Sequence, residues 1–513
     1  MAKASAPGDP LTQGDASGPG PASESVLRRT MVAVVFGGLM SMLDTTIVNI
    51  AIRTLSVRLH ADLASVQWVV TGYLLALAAA LPLAGWLADR FGARQVYVAS
   101  IATFTLASLA CGLSTSLSQL IGFRVLQGVA GALTMPVGQM ILVPVAGRAR
   151  MARVMGTLSI PIVMAPIFGP VLGGLLLEHA GWQWIFFVNL PVGLVAVPLA
   201  LWLLPRDQPR RTARPDFPGL VLISAGSVAA TYGLASAGGQ ALRVWLPLVL
   251  GVALLAAFVV RSGRIDRPLL DVRLYRNRAY AASSLVNFAL GGIVFGGMIL
   301  LPLYFQSVRL QDPVMTGLLI APTGVGIAIT APLASRLTDR FGSGRTALAG
   351  ALINAIGTVP LLFLGGSTSY LWLSAVMLVR GIGISLCMIP AMSAIYRAIP
   401  PDKVGDGTTQ ANVLNRLGGS TGTAVFTIVL THAIASTGPS GAAYGDAFRW
   451  VLGAGLLMAV PAIFLARAES RATADAVRTG GTDASGHQAG SAASGRTEEP
   501  AATGTTAERS AAS

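Results

Sequence analysis

Two short stretches of this chain are nearly identical: Leu87-Ala88-Asp89-Arg90-Phe91-Gly92 and Leu337-Thr338-Asp339-Arg340-Phe341-Gly342. Five of the six residues match, and the second copy begins 250 residues after the first. Each copy follows a long apolar run and ends in glycine, which accommodates a tight turn after a helix. The repeat therefore predicts two related halves, and two parallel six-helix halves are the organisation of one large class of transporters.

The composition places both halves in a membrane. Of 513 residues, 53% are hydrophobic and only 11% are charged, and the mean hydropathy is +0.67. A soluble protein carries about a quarter charged residues. Apolar runs of about 20 residues span a bilayer as helices, since a helix satisfies its own backbone hydrogen bonds in lipid. The sequence predicts an all-α polytopic membrane protein.

Fourteen apolar spans are predicted, at 31–52, 66–88, 96–115, 118–141, 154–177, 184–204, 217–237, 243–261, 280–304, 314–337, 346–365, 370–395, 406–433 and 447–467. The predicted domains are two six-helix bundles, an inserted pair of helices (spans 7 and 8) with cytoplasmic linkers, and two disordered cytoplasmic tails rich in small and polar residues. In numbers, these are bundles at 28–204 and 279–467, the inserted pair at 205–278, and tails at 1–27 and 468–513.

The loop charges give an orientation. With fourteen spans, nineteen Arg and Lys residues fall in loops on the side of the repeated turn, and five fall on the other side. Basic loops stay in the cytoplasm. This bias predicts that both termini are cytoplasmic in a bacterial inner membrane. It also explains the net charge of +14 without a nucleic-acid partner.

The two cysteines, Cys111 and Cys387, both lie inside apolar runs. A disulfide framework or a metal site requires more such residues at ligand spacing. The sequence therefore predicts no metal site and no cofactor.

Five motifs resemble signatures of one transporter family. They run over residues 43–51 (Leu43-Asp44-Thr45-Thr46 onward), 85–94 (around Asp89-Arg90), 124–131 (Arg124 to Gly131), 169–174 (Gly169-Pro170 onward) and 182–193 (Trp182 to Gly193). Gln183 stands where an arginine is usual. In this order and spacing, the chain resembles the major facilitator superfamily, in particular its fourteen-helix drug:proton antiporter branch (EmrB/QacA-type). The resemblance covers nearly the whole chain.

Asp44 is the acid placed nearest mid-membrane, where an ionised carboxylate costs several kcal/mol unless it is paired. Asp44 lies thirteen residues into span 1, about 20 Å from the inner boundary at ~1.5 Å per residue. Arg124 lies six residues into span 4 from the outside, which is roughly 21 Å above the same boundary of a ~30 Å core. We expect the two side chains to pair and to couple proton transfer to transport, a role that the resemblance also implies for this arginine. The alternative is a purely structural pair or a protonated Asp44.

The repeated turn predicts a conformational latch. Gly85 and Gly92 permit close approach and a turn. By resemblance, Asp89 faces the positive N-terminus of span 13 near Gly405. The mirrored contact is that of Asp339 with the start of span 5, and the supporting arginines are Arg90, Arg94 and Arg340. The alternative is a solvated turn in which the charges only cap a helix.

Span 5 carries the stretch that resembles the antiporter motif of exporters, with small residues for close packing and prolines for kinks. Its candidate residues are Pro166, Gly169, Pro170, Gly173 and Gly174. The prediction is a tightly packed, bendable interface between the halves, and the alternative is general helix packing.

Four polar residues inside spans are candidates for a substrate cavity: Gln127, Arg380, Asn412 and Arg416. Exporters of dicationic drugs in the family carry an acid in span 10, and residues 314–335 contain none. Near mid-membrane, Arg124, Arg380 and Arg416 outnumber Asp44, so the predicted net charge there is positive. This favours a neutral, zwitterionic or anionic substrate.

The function that follows is secondary active transport: proton-coupled antiport exporting small lipophilic molecules, driven by the proton gradient and carried out by a monomer. An importer or uniporter on the same scaffold is the alternative, against which the antiporter motif argues. A membrane-embedded enzyme requires clustered acid, base or ligand residues. One central acid does not supply them, and a receptor would not explain Asp44.

Overall fold

The computed structural model describes residues 23–206, 216–236, 241–266 and 268–493. In this part of the chain the regular structure is helical. The helices are α1 (Glu24–Arg58), α2 (Leu63–Val66), α3 (Trp68–Ala80), α4 (Leu83–Phe91), α5 (Ala93–Gly112), α6 (Leu117–His179), α7 (Trp184–Phe187), α8 (Asn189–Leu203), α9 (Phe217–Ala235), α10 (Ala241–Arg264), α11 (Arg278–Ser307), α12 (Pro313–Phe341), α13 (Ser343–Thr358), α14 (Tyr370–Ala398), α15 (Val404–Thr437) and α16 (Gly441–Ala493). Of the predicted tail 1–27, residues 1–22 lie outside the described residues. Helix α1 begins at Glu24, within the last residues of that tail.

The two copies of the repeated motif make the same turn. Gly92 ends α4 with φ 91°, and Gly342 ends α12 with φ 87°. The Gly92 N–H bonds back to the Ala88 carbonyl at 2.9 Å, and the Gly342 N–H to the Thr338 carbonyl at 3.0 Å. Glycine is favoured at both positions because a side chain is strained at these φ values. We call the end of the bundle that carries both turns the loop-motif end.

The apolar helices match the predicted spans in position. Among the described residues, twelve helices are long and apolar enough to cross a membrane, or thirteen if the bent pair α3–α4 forms one span. Predicted span 154–177 is the helical second part of α6, which Gly147 separates from the first part with φ 68° and ψ 167°. The structure therefore shows a polytopic helical bundle, and the count of fourteen spans stays a prediction.

Two halves of the chain are joined through a shared apolar core. We call α1–α8 the N-terminal half and α11–α16, as far as Ala466, the C-terminal half. The largest buried cluster combines residues of α1, α5 and α6 with Ile389, Ile395 and Ile399 from the other half. Two further clusters each stay within one half. The halves thus pack together near the loop-motif end. The chain to Ala466 forms one compact unit, so the predicted bundle boundaries stay a prediction.

The inserted pair, α9 and α10, packs beside the joint between the halves. On the N-terminal side, the Ser224 hydroxyl donates to the Ala79 carbonyl of α3 at 2.7 Å, and Tyr232 stacks on Trp68 with ring centroids 6.3 Å apart. On the C-terminal side, Lys403 forms an ion pair at 3.3 Å with Asp271 of the linker that follows α10. The inserted pair and its linker therefore contact both halves.

A second unit covers Arg467–Ser513. In the structure α16 continues through this stretch to Ala493, and the disorder predicted for 468–513 stays a prediction. Residues 494–513 lie outside the described part of the chain.

Candidate functional site

A buried ion pair lies in the interior of the N-terminal half. The Arg124 guanidinium on α6 donates to Asp44 Oδ2 on α1 at 2.6 Å, and the two side chains are 1% and 0% exposed. The structure thus brings together the two residues that the depth argument pairs. Their role in proton coupling stays a prediction.

Two amides complete the surroundings of the carboxylate. Gln127 Nε2 and Asn189 Nδ2 each donate to Asp44 Oδ1 at 3.0 Å. Gln127 also accepts from Arg124 at 2.7 Å, and Asn189 also donates to the Ser108 hydroxyl at 3.0 Å. In the described part of the chain Asp44 accepts hydrogen bonds from three donors, an arrangement that suits a carboxylate because both of its oxygens are acceptors.

Arg124 is held from its other side as well. Its Nε donates to the Val69 carbonyl of α3 at 3.1 Å, and its guanidinium carbon lies 4.2 Å from the centre of the Tyr73 ring. Removing Asp44's charge would leave this guanidinium without an anion in a buried place, which is energetically costly. The charge of Arg124 is therefore balanced by Asp44, and its other partners in the structure are uncharged.

At the loop-motif end, α4 touches the start of α15. A Cβ on Gly85 would lie 2.9 Å from the Gly405 carbonyl oxygen, so only glycine allows this approach. A Cβ on Gly405 would lie 3.4 Å from Asp89 Oδ2, which places that carboxylate beside the N-terminus of α15. The geometry agrees with the contact expected between Asp89 and span 13, where the helix dipole favours a negative charge.

The other residues of the predicted latch are less engaged. Arg94 donates to the Leu201 carbonyl of α8. In the part of the chain that the structure describes, Arg90 and Asp339 are exposed and have no ion pair, and Arg340 packs over Phe341 at 5.1 Å. The mirrored contact of Asp339 is therefore not seen there, since its carboxylate points to the surface.

The antiporter-like stretch lies in the second part of α6. A Cβ on Gly169 would come within 2.1 Å of Thr46 Oγ1, so this glycine permits α6 to lie against α1. A Cβ on Gly174 would be 3.9 Å from Val314 of α12, which is a contact with the other half. Gly173 is buried, and the side chains of Pro166 and Pro170 lie outside the described residues. Close packing is thus observed both within the N-terminal half and between the halves.

A cavity of about 480 Å³ lies between the halves, toward the end opposite the loop motif. Its walls come from α1, α3, α9, α11, α12 and α15, so inserted helix α9 contributes through residues such as Thr231 and Leu234. Most of the wall is apolar, and Thr45, next to Asp44 in sequence, belongs to it. Asp44 of the buried ion pair is thus the sequence neighbour of a residue in the cavity wall.

Of the four predicted cavity residues, Arg416 alone lines this cavity among the described residues. The other three lie elsewhere in this structure, so their role in a substrate cavity stays a prediction. Gln127 bonds Asp44, Arg380 is 2% exposed inside the C-terminal half near Phe448, and Asn412 bonds the other half.

Sequence reasoning missed Asn189, Ser108 and Gln139. Gln139 on α6 accepts hydrogen bonds from the Tyr396 hydroxyl at 3.1 Å and from the Asn412 amide at 2.8 Å. Both donors belong to the C-terminal half. Asn189 and Gln139 are amides in largely apolar stretches, and an amide without a hydrogen-bond partner in lipid costs free energy. This pattern could have identified them in the sequence.

The chain resembles known transporters in sequence and in structure. The family model of the Major Facilitator Superfamily matches residues 34–423. A multidrug resistance protein B homolog of Mycobacterium tuberculosis is 39% identical over 79% of this chain and 76% of its own length. The tetracenomycin C resistance and export protein of Streptomyces glaucescens is 33% identical over 80% and 77%.

Two solved structures share the fold. The human organic anion transporter MFSD10 superposes with a TM-score of 0.61 at 14% identity, over 86% of this chain and 99% of that one. The proton:xylose symporter XylE gives a TM-score of 0.61 at 15% identity, over 85% and 95%. The family model and the relatives show that this chain is a multi-pass membrane transporter, not an enzyme, and belongs to the Major Facilitator Superfamily.

Proposed function

We propose that this chain exports small lipophilic molecules, such as drugs or antibiotics, across the bacterial inner membrane in exchange for protons. The observation that carries the proposal is the buried pair of Asp44 and Arg124, one residue from the wall of a cavity between the halves. In this proposal the Asp44 carboxyl takes up and releases a proton, and Thr45, the next residue of α1, belongs to the wall of the cavity that holds the substrate.

The proposed cycle uses the charge of the pair. When Asp44 is ionised, three hydrogen bonds hold it to α6 and α8. A proton on Asp44 removes the anion from Arg124, and the unpaired guanidinium then favours a conformation in which it has other partners. Alternating access follows if this second conformation closes the cavity on one side and opens it on the other.

The conformation of the structure fits one end of such a cycle. The halves touch at the loop-motif end through Gly85 and Gly405, and the cavity between them lies toward the opposite end. With the orientation proposed from the loop arginines, both termini are cytoplasmic and the cavity lies on the outer side of this contact. The names of two relatives, a multidrug resistance protein B homolog and a tetracenomycin C resistance and export protein, support the direction of transport. We propose that the monomer, with no cofactor, is the working unit.

The test is efflux in a drug-sensitive bacterium that lacks its own exporters, scored against a panel of lipophilic antibiotics with and without a proton uncoupler. Wild-type protein is expected to lower drug accumulation, and the uncoupler to abolish the effect. Asp44→Asn is expected to lose efflux while inserting normally into the membrane. The matched control is Asp446→Asn, at an exposed ion pair with Arg449. Normal efflux by Asp44→Asn would contradict the proposed role of Asp44 in proton coupling. Drug uptake instead of efflux by the wild-type protein would favour an importer or uniporter.

A further inference from the structure

The wall of the central cavity carries an unbalanced charge. Among the described residues that line it, Arg416 of α15 is the only charged one, and no carboxylate lies on the wall. The remaining surface consists of aliphatic, aromatic, hydroxyl and amide side chains, including Phe295 and Met298 of α11. An apolar wall with a single fixed cation is complementary to an apolar body that carries a single anionic group.

Arg416 has no anionic partner among the described residues. In the described part of the chain it forms no ion pair and no side-chain hydrogen bond, and its guanidinium carbon lies 5.4 Å from the centre of the Phe295 ring. Arg124, by contrast, donates hydrogen bonds to Asp44, to Gln127 and to the Val69 carbonyl. A guanidinium within the membrane is costly unless an anion or water meets it.

A second polar group faces the same cavity. Thr316 of α12 is 3% exposed and belongs to the cavity wall, and its hydroxyl has no hydrogen-bond partner among the described residues. A buried hydroxyl without a partner costs free energy, so a bound acceptor would stabilise it. Thr316 and Arg416 are both donors, and neither has an acceptor for its side chain among the residues that the structure describes.

We propose that this cavity binds an amphipathic organic anion: an aromatic or polycyclic body with one carboxylate, sulfonate or phenolate group that accepts from Arg416, with Thr316 as a second donor. The apolar body lies against Phe295, Met298 and Leu77. The inference rests on the proposed function for its physiological meaning, because it names the class of molecule that is exported. The binding itself requires no proton gradient.

The test uses two probes of the same shape, 1-pyrenecarboxylate and its neutral amide, 1-pyrenecarboxamide. Their dissociation constants are measured by fluorescence anisotropy with the full chain in lipid nanodiscs, and empty nanodiscs are subtracted. Wild-type protein is expected to bind the carboxylate about tenfold more tightly than the amide or better, as a charged hydrogen-bond partner allows. Arg416→Gln is expected to weaken carboxylate binding by roughly tenfold to a hundredfold and amide binding by less than about twofold.

Unchanged amide binding also shows that Arg416→Gln is folded. Arg416→Lys, which keeps the charge, is expected to retain part of the preference. The control is Arg336→Gln, the same charge change at an exposed position of α12, with no effect expected. Equal losses for both probes in Arg416→Gln, or no carboxylate preference in wild-type protein, would overturn the inference. Failure of Asp44→Asn to abolish efflux would overturn the proposed function and leave these binding results standing.

Discussion

The side-chain amide of Asn412 on α15 donates a 2.8 Å hydrogen bond to Oε1 of Gln139 on α6, and so joins the two halves. The same oxygen accepts from the Tyr396 hydroxyl at 3.1 Å. Both bonds must break when the halves separate at the loop-motif end. Gln139 is therefore a point at which the two conformations of a transport cycle differ in energy.

Gln139→Leu is expected to open the loop-motif end more often, because it removes the acceptor shared by the Tyr396 hydroxyl and the Asn412 amide, although this amide keeps its bond to the Thr408 carbonyl. At about 1 kcal/mol for each of the two lost bonds, the open fraction should rise roughly thirtyfold. The readout is the reaction rate of a cysteine placed at Met151, which lines a smaller cavity at that end, in a chain whose two native cysteines are replaced. Gln95→Leu, at an exposed position of α5, is the control. An unchanged rate in Gln139→Leu would show that these bonds do not hold the halves together.

Gly85 is expected to tolerate no side chain in the closed state. A Cβ there meets the Gly405 carbonyl oxygen at 2.9 Å and Thr409 Oγ1 at 3.1 Å, so alanine should impair efflux and valine should impair it further. Gly122→Ala on α6 is the control, because a Cβ there has no atom within 4 Å. Efflux is measured at matched membrane levels of protein. Full activity of Gly85→Val would contradict the closed contact.

The ion pair is expected to show strong coupling in stability. Arg124→Gln leaves a buried carboxylate without its cation, which should cost about 3–5 kcal/mol. The double variant Asp44→Asn, Arg124→Gln removes both charges and should recover most of that loss, while efflux stays absent. Thermal unfolding of the purified variants measures the coupling through a double-mutant cycle. Losses that simply add would mean that the two charges do not stabilise each other.

The inserted helix α9 is expected to influence which substrates fit. Thr231→Trp places a large ring on the cavity wall, and should reduce efflux of bulky drugs more than that of small ones. The control is Val252→Trp on α10, where Val252 is 58% exposed on the outer surface. Efflux of a series of drugs of increasing size distinguishes the two variants. Equal profiles would exclude α9 from the substrate path.

If the substrate is an anion, its export in exchange for a proton moves net charge across the membrane and should depend on the membrane potential. If one proton enters through Asp44 as one monovalent anion leaves, two charges move in the direction that a negative interior favours. A membrane potential of 100 mV would then supply about 4.6 kcal/mol, at ~2.3 kcal/mol per charge. In proteoliposomes with a potassium diffusion potential set by valinomycin, 1-pyrenecarboxylate transport should accelerate with the potential. A transport rate that does not change with the membrane potential would indicate that no net charge moves in each transport cycle.

The sequence by itself determined the features that depend on local chemistry. Hydropathy located the apolar helices, because lipid requires long apolar segments. The repeated turns were predictable because Gly92 and Gly342 adopt backbone angles that favour glycine. Asp44 stood out because an acid in an apolar span is costly, and equal depth in the membrane was enough to name Arg124 as its partner.

The tertiary structure alone decided which way each polar side chain points. Arg380 and Arg416 look alike in sequence, but one is enclosed in the C-terminal half and the other faces the cavity. Gln127 turns to Asp44 and Asn412 to Gln139, although both were expected to face the cavity. The reason is that a helix turns its side chains by about 100° per residue. The face that meets the cavity is therefore fixed by packing against distant segments, and not by the helix's own residues.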